Sequence, residues 1–163
     1  MSAPDNVSEP GLYERLRRGL RAGGLPIGEA MHPAALLALA VMVVNDWLLK
    51  PRFGPSAVTG KLSDLGGLVA APVVLTAAIG LLLRLAGRKD PYLTHRRLVI
   101  SIAATGAVFA AIKLSERAAG WFTETIGIFR HAEVYLDPTD LLCLPVLAIS
   151  YWIGNDELRR LGR

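Results

Sequence analysis

Four aspartates and two lysines carry most of the chemistry this chain could do: Asp46, Asp64, Asp137 and Asp140 against Lys61 and Lys113, with Asn45 beside the first of them. Four carboxylates could hold a hard divalent cation through oxygen ligands. The lysines could hold a phosphate or carboxylate headgroup, and paired carboxylates could serve as general base and general acid. Residue type alone selects none of these. What the residues share is position, because each stands at or near the end of a long apolar run.

Those runs set the class of the protein. The chain has 163 residues, one domain's worth, with 52% hydrophobic and only 20% charged residues. Charges are nearly absent from Ala34–Val44, Leu65–Leu83, Leu98–Ile112 and Leu141–Ile153. A helix crossing hydrocarbon needs roughly 20 mostly apolar residues. The second run reaches that range unaided, and the others reach it by extending into polar ends. A soluble core of four helices is disfavoured, because a half-exposed helix needs a polar stripe every three to four residues and these runs lack one. The expected architecture is therefore all-α and polytopic, a compact bundle of four membrane helices over residues 33–49, 64–86, 98–114 and 138–155. Residues 1–32 form an N-terminal segment with a short basic amphipathic helix carrying Leu12, Leu16 and Leu20. Residues 1–10 read as disordered, and residues 156–163 form a basic tail.

The net charge of +4 is better explained by topology than by nucleic acid. Of the 18 basic residues, twelve fall before the first span, around the link between spans two and three, or after span four. Five lie in the two opposite loops or at their edges, and Lys113 lies within span three. Basic residues favour the cytoplasmic side, so both termini are expected there. The chain reads as a multi-pass protein of the inner membrane. Cys143 is the one cysteine, so no intramolecular disulfide forms, and a buried apolar role suits it. No cleaved signal peptide is expected, since the first apolar run begins only at Ala34.

With this topology the polar residues acquire a depth. Asn45 and Asp46 lie about one turn below the outer end of span one, and Lys61 and Asp64 mark the outer start of span two. Lys113 and Glu116 stand around the outer end of span three, while Asp137, Thr139 and Asp140 open span four at the same level. Ionisable groups within membrane helices are costly and usually face a bundle interior or a wet cavity. Several have plainer readings. Ser63 and Asp64, like Asp137 and Asp140, suit helix starts. Asp46 and Lys50 can pair at i, i+4, and Lys61 can snorkel. Asn45, Asp46 and Lys113 are explained by neither capping nor loop solvation. The inner halves of the spans show nothing comparable.

Other motifs fail on spacing. Gly54, Gly60 and Lys61 approach a phosphate-binding loop, but five residues separate the first two and Leu62 stands where Ser or Thr is required. No nucleotide is expected, and no nucleic acid. His32, His95 and His131 are scattered and make no metal-ligand spacing. No cofactor is predicted; a divalent cation among the carboxylates is the one metal the sequence could accommodate. The expected partners are membrane lipids, with a membrane-protein partner or a second copy possible; separately, Ala103, Ala107 and Ala111 fall four apart in span three, a spacing that allows close helix contact.

The combination of Asn45-Asp46, Lys50, the block TGKLSDLGGLVAAP, Lys113 and DPTDLLCLP resembles an uncharacterised family of small bacterial four-helix integral membrane proteins, over roughly His32 to Tyr151. That resemblance implies the membrane architecture and no activity. A looser similarity to VanZ-like membrane proteins carries no roles over, because Lys61 precedes Asp64 and no histidine follows. The sequence thus leaves three classes of function. The first is an outer-leaflet polar site for a lipid headgroup, small polar ligand or ion, formed by Asn45, Asp46, Lys61, Asp64, Lys113, Asp137 and Asp140. The others are an enzyme acting on a lipid-linked phosphate or ester, and a structural subunit of a membrane complex.

Overall fold

The computed structural model describes residues 11–54, 56–127 and 136–163. Residues 1–10, 55 and 128–135 lie outside the described residues, and with them the expected disorder of 1–10 and the positions of Phe129, Arg130 and His131. Within the described residues the only regular secondary structure is helical, with no strand. Helix α1 (Leu12–Ala22) is followed by a turn-rich segment and by α2 (Pro33–Val44), which passes through a π-helical turn (Asn45–Leu49) into α3 (Lys50–Phe53). Then come α4 (Ala57–Leu85), α5 (His95–Leu114) and α6 (Glu116–Gly127), followed by a 3₁₀ segment (Pro138–Val146) that leads into α7 (Leu147–Arg160).

Three helical stretches are long and apolar enough to cross a membrane: Pro33–Phe53, Val58–Leu85 and His95–Leu114. Their exposed faces are apolar, with Leu37, Leu82, Ile100 and Val108 among the large side chains left uncovered. Buried positions, in contrast, include Asn45, Thr76, Ser101, Lys113, Asp140 and Ser150. Apolar outside and polar inside suits a hydrocarbon solvent, where polar groups must be satisfied within the protein.

Two helix boundaries differ from the sequence expectation. The first span does not end at Lys50-Pro51. In a regular α-helix the ring of Pro51 would press on the carbonyl four residues earlier. The chain widens instead to an i→i+5 register, with the Lys50 N–H bonded to the Asn45 carbonyl, and continues to Phe53. Gly54, at φ 77°, makes the turn that follows.

The second span does not start at Ser63-Asp64 either. Ser56 and Thr59 form a reciprocal capping box, each side chain bonding the other's backbone N–H. This starts α4 two turns earlier. The helix then runs through Pro72 to Leu85 without interruption. At a rise of about 1.5 Å per residue it is roughly 43 Å long, well beyond a hydrocarbon core of about 30 Å. Lys61, Ser63 and Asp64 are thus interior helix residues, and capping does not explain them.

Helix α4 is the hub. Helix α2 packs on it most extensively, and α5, α7 and the 3₁₀ segment also lie against it. Gly66 permits the close approach of α2: a Cβ there would sit 2.9 Å from the Ala38 carbonyl oxygen. In mid-helix the Ser150 hydroxyl of α7 lies 3.1 and 3.0 Å from the carbonyls of Leu68 and Val69. The apolar core divides into a cluster around Val69, Val73 and Ile153, another around Leu68, Phe109 and Cys143, and a third around Leu93, Leu98 and Leu158. Helix α5 turns Gly106 toward Leu147 of α7, while its Ala103, Ala107 and Ala111 remain on the exposed side.

Candidate functional site

The seven sequence-predicted residues gather at one end of the bundle, in two groups on either side of α4. On the α2 side the π-helical turn presents Asn45, fully buried. Its Nδ2 donates to the Thr59 carbonyl at 2.7 Å and to the Ser63 hydroxyl at 3.0 Å. Ser63 also accepts from Lys50 Nζ at 2.9 Å and passes its own proton toward the Asp46 carboxylate. Lys50 closes the circuit with Asp46 at 2.7 Å, one turn along the helix. This group ties the end of span one to α4. It is a short relay of donors and acceptors in which one lysine matches one carboxylate.

On the other side of α4 the second group joins three elements. Lys113, near the end of α5, has only 9% of its side chain exposed. Its Nζ lies 2.9 Å from Asp64 Oδ2 of α4 and 2.6 Å from Asp140 Oδ2 of the 3₁₀ segment. Both carboxylates are themselves largely covered. The ammonium also stands 5.6 Å from the centre of the Phe109 ring, within cation–π range. Asp140 then uses its second oxygen for Lys61 Nζ, at 2.7 Å.

Lys61 is different in kind. Its side chain is 40% exposed, it reaches the Thr139 hydroxyl at 3.1 Å, and its nearest further carboxylate is Asp137 at 3.8 Å, 44% exposed. Asp137 caps the 3₁₀ segment as the sequence predicted, accepting from the backbone N–H of Thr139 at 2.9 Å. That bond and one from the Thr139 hydroxyl hold its carboxyl below the ordinary carboxylate range. So the group has a sealed base, Asp64–Lys113–Asp140, and an open rim, Lys61–Thr139–Asp137.

The charges interleave. Every carboxylate of the group is in contact with, or next to, a lysine, so an added divalent cation would first have to displace an ammonium. Among the described residues no three His, Cys, Asp or Glu side chains are grouped so as to hold a metal ion. Cys143 is a free thiol, buried beside Leu68 and Phe109 as the sequence suggested.

A second polar cluster, at the opposite end of α4, escaped the sequence reading. The turn-rich segment between α1 and α2 folds onto the bundle, burying Pro26, Glu29 and His32. A Cβ on Gly80 would meet the Pro26 and Pro91 carbonyls at 3.0 Å, so that glycine lets the segment lie close to α4. Glu29 is 1% exposed and Glu157 of α7 is 2% exposed. Glu157 lies so near Gly28 that any side chain there would collide with its carboxylate. Burial foremost, and repulsion from Glu157 after it, raise the Glu29 carboxyl above its ordinary range. His32 caps α2, accepting the Ala34 N–H on Nδ1 at 3.1 Å, and turns Nε2 to Asp156 at 3.8 Å. Nothing in the pattern of residues 24–32 or 155–160 distinguishes these carboxylates from solvated ones; only packing buries them.

Comparison with known proteins leaves the reading to the geometry: no protein family matches the chain, nor does any curated protein or solved structure.

Proposed function

We propose that this chain is a four-span protein of a bacterial inner membrane whose outer end binds a polar lipid headgroup through the Lys61–Asp137 rim. The 3₁₀ segment and α7 serve as the fourth span in this reading. The concentration of basic residues toward the termini and the link between α4 and α5 supports cytoplasmic termini, which places the Lys61 end in the outer leaflet.

The single observation that carries the binding reading is the contrast in exposure within one charge network. Lys113 is sealed between two carboxylates, whereas Lys61 and Asp137 stand 3.8 Å apart with 40% and 44% of their side chains exposed. An ammonium has three donor hydrogens, and the exposed flank of Lys61 can offer one to a phosphate oxygen. Asp137 can accept from a cationic headgroup amine beside it. The rim is therefore complementary to a headgroup carrying both charges, such as phosphoethanolamine. Lys61, Lys113, Asp64, Asp137 and Asp140 together carry one more negative than positive charge, so a purely anionic headgroup is less well matched.

A test is native mass spectrometry of the purified protein released from micelles containing phosphatidylethanolamine, phosphatidylcholine and phosphatidylglycerol in equal amounts. Preferential retention of phosphatidylethanolamine is expected. It should be reduced by Lys61→Gln for every lipid and by Asp137→Asn for phosphatidylethanolamine alone. Equal retention by wild type and Lys61→Gln would end the binding reading, and increased phosphatidylglycerol retention with unchanged phosphatidylethanolamine in Asp137→Asn would end the zwitterionic one.

The sealed base favours a second, structural role for part of the network. Lys113 joins α4, α5 and the 3₁₀ segment through buried ion pairs, so Asp64, Lys113 and Asp140 fix the three elements that carry the rim. Asn45, Asp46 and Lys50 tie the first span to α4 by a different means, hydrogen bonds to the Thr59 carbonyl and the Ser63 hydroxyl.

A further inference from the structure

At the opposite end of the bundle, two buried groups carry polar atoms without partners. Glu29 Oε1 is inaccessible and has no hydrogen-bond partner, and Arg97 Nε and Nη2 are likewise inaccessible and unpartnered. Arg97 is held in place by Nη1, which donates to the Pro91 carbonyl at 3.1 Å. Its free Nε–Nη2 edge is the side of a guanidinium that grips a carboxylate through two parallel bonds. A buried polar atom without a partner is costly and calls for an explanation.

The groups facing Glu29 supply it. From α4 comes the hydroxyl of Thr76, from α7 the carboxylate of Glu157, and from α5 the guanidinium of Arg97. Behind Arg97 stand Asp90 and Arg163, themselves ion-paired. Beside Glu157 stands Asp156, which faces His32 and Arg160. Two carboxyls that sense each other in a buried setting cannot both ionise cheaply. With no ion pair between Glu29 and Arg97, the placement favours a neutral Glu29. The orphaned edge of Arg97 is then the natural pair of donors for the same carboxyl once ionised. One movement accounts for both sets of unpartnered atoms.

We propose that Glu29 is a proton-binding switch: protonated, it holds the Gly23–His32 segment closed on α4 and α7, and on losing its proton to water it turns from Glu157 to the Nε–Nη2 edge of Arg97 and loosens that segment. The segment has the means to move. It is tied down by the Arg84 Nη1 bond to the Gly23 carbonyl at 2.7 Å, its second residue, Gly24, turns at φ 71°, and Gly28 lets Glu157 press on its backbone. Its other end is the helix cap at His32. The site lies far along α4 from Lys61, so the switch does not depend on the headgroup reading.

Two measurements on the full chain in lipid nanodiscs test it. The first is a pH titration of ¹³C-glutamate-labelled protein by infrared difference spectroscopy against Glu29→Gln. One carboxyl band should persist above the ordinary glutamate range, vanish as pH rises, and be missing from the variant. The second is alkylation of Ile27→Cys in a Cys143→Ala background, normalised to a free-thiol reference. The rate should rise through the same transition, by no more than about tenfold per pH unit since one proton is released. It should stay slow at every pH in Glu29→Gln. Arg97→Lys, which keeps the charge and loses the paired edge, should move the transition to higher pH. A Glu29 carboxyl ionised across the whole titration would overturn the proposal. So would alkylation whose pH dependence is the same in wild type and Glu29→Gln, or a transition unmoved in Arg97→Lys.

Discussion

Replacing Lys113 by methionine keeps the length of the side chain and removes its charge, which makes it the sharpest perturbation of the sealed charge network. In the native protein one ammonium serves two carboxylates at 2.9 and 2.6 Å, and the side chains of Lys113, Asp64 and Asp140 are 9%, 17% and 9% exposed. At an effective dielectric of about 20, a unit pair at such a distance attracts by roughly 6 kcal/mol before desolvation is counted. Most of that is offset by the cost of burying the ions, so the intact network contributes far less than the gross figure. Breaking a buried pair is another matter. The carboxylate left behind keeps its desolvation penalty without its partner, and such losses run to about 3–5 kcal/mol.

Asp140 retains Lys61 in the variant, so the damage falls chiefly on Asp64. A loss of about 3–5 kcal/mol corresponds to roughly a hundredfold or more in the folded population. The assay is reversible unfolding in mixed micelles, followed by circular dichroism. A second variant separates charge from shape: Lys113→Met combined with Asp64→Asn leaves no stranded charge and should recover most of the lost stability. A loss below about 1 kcal/mol, the level of an exposed pair, would refute the reasoning. A double variant no more stable than the single one would do the same.

Three further outcomes follow from the packing. Asn45→Leu removes the buried amide donor that the Thr59 carbonyl and the Ser63 hydroxyl share, and should cost about 1–3 kcal/mol in the same unfolding assay; a neutral effect would show that the amide is replaceable by packing. Gly66→Val drives a side chain into the Ala38 carbonyl and should destabilise by about 1–3 kcal/mol. Cross-linking between cysteines placed on α2 and α4 should slow accordingly, and unchanged cross-linking would contradict the close approach. The third concerns pH. Burial holds the Glu29 carboxyl above its ordinary value of 4.5, so the native state keeps a proton that the unfolded chain releases. The stability contributed by Glu29 is fully present below pH 4.5, falls as pH rises toward the native value, and is level beyond it. Unfolding measured across pH should show that fall in wild type and lose it in Glu29→Gln; an identical profile in both would contradict the burial argument.

The charged end was legible because its residues break apolar runs. Asn45, Asp46 and Lys113 stand out against their neighbours, and the pairing of Asp46 with Lys50 follows from helical spacing. What could not be read was which side of α4 each residue faces. That depends on where the helix starts, and Ser63-Asp64 is as good a start by residue type as Ser56. The reciprocal bonds of Ser56 and Thr59 decide it, moving Lys61 and Asp64 from a helix terminus into its body. The π-helical turn was equally hidden, since Pro51 reads as a stop and not as a widened turn. At the other end, Glu29 sits among glycines and prolines and Glu157 beside arginines, contexts that normally mean solvent. Their burial arises from long-range packing around Gly28 and Gly80, which leaves no local pattern.

The most direct test of the headgroup site is the contact between lysine nitrogen and lipid phosphorus. Solid-state NMR of ¹⁵Nζ-lysine-labelled protein in phosphatidylethanolamine bilayers reads it as dipolar dephasing of the lysine signal by ³¹P. The rim predicts a dephasing component that disappears in Lys61→Gln, weakens in Asp137→Asn, and is smaller when the bilayer is phosphatidylcholine. A component unaffected by either substitution and equal in both lipids would mean that Lys61 meets phosphate only as any interfacial lysine does, and the binding account would fail.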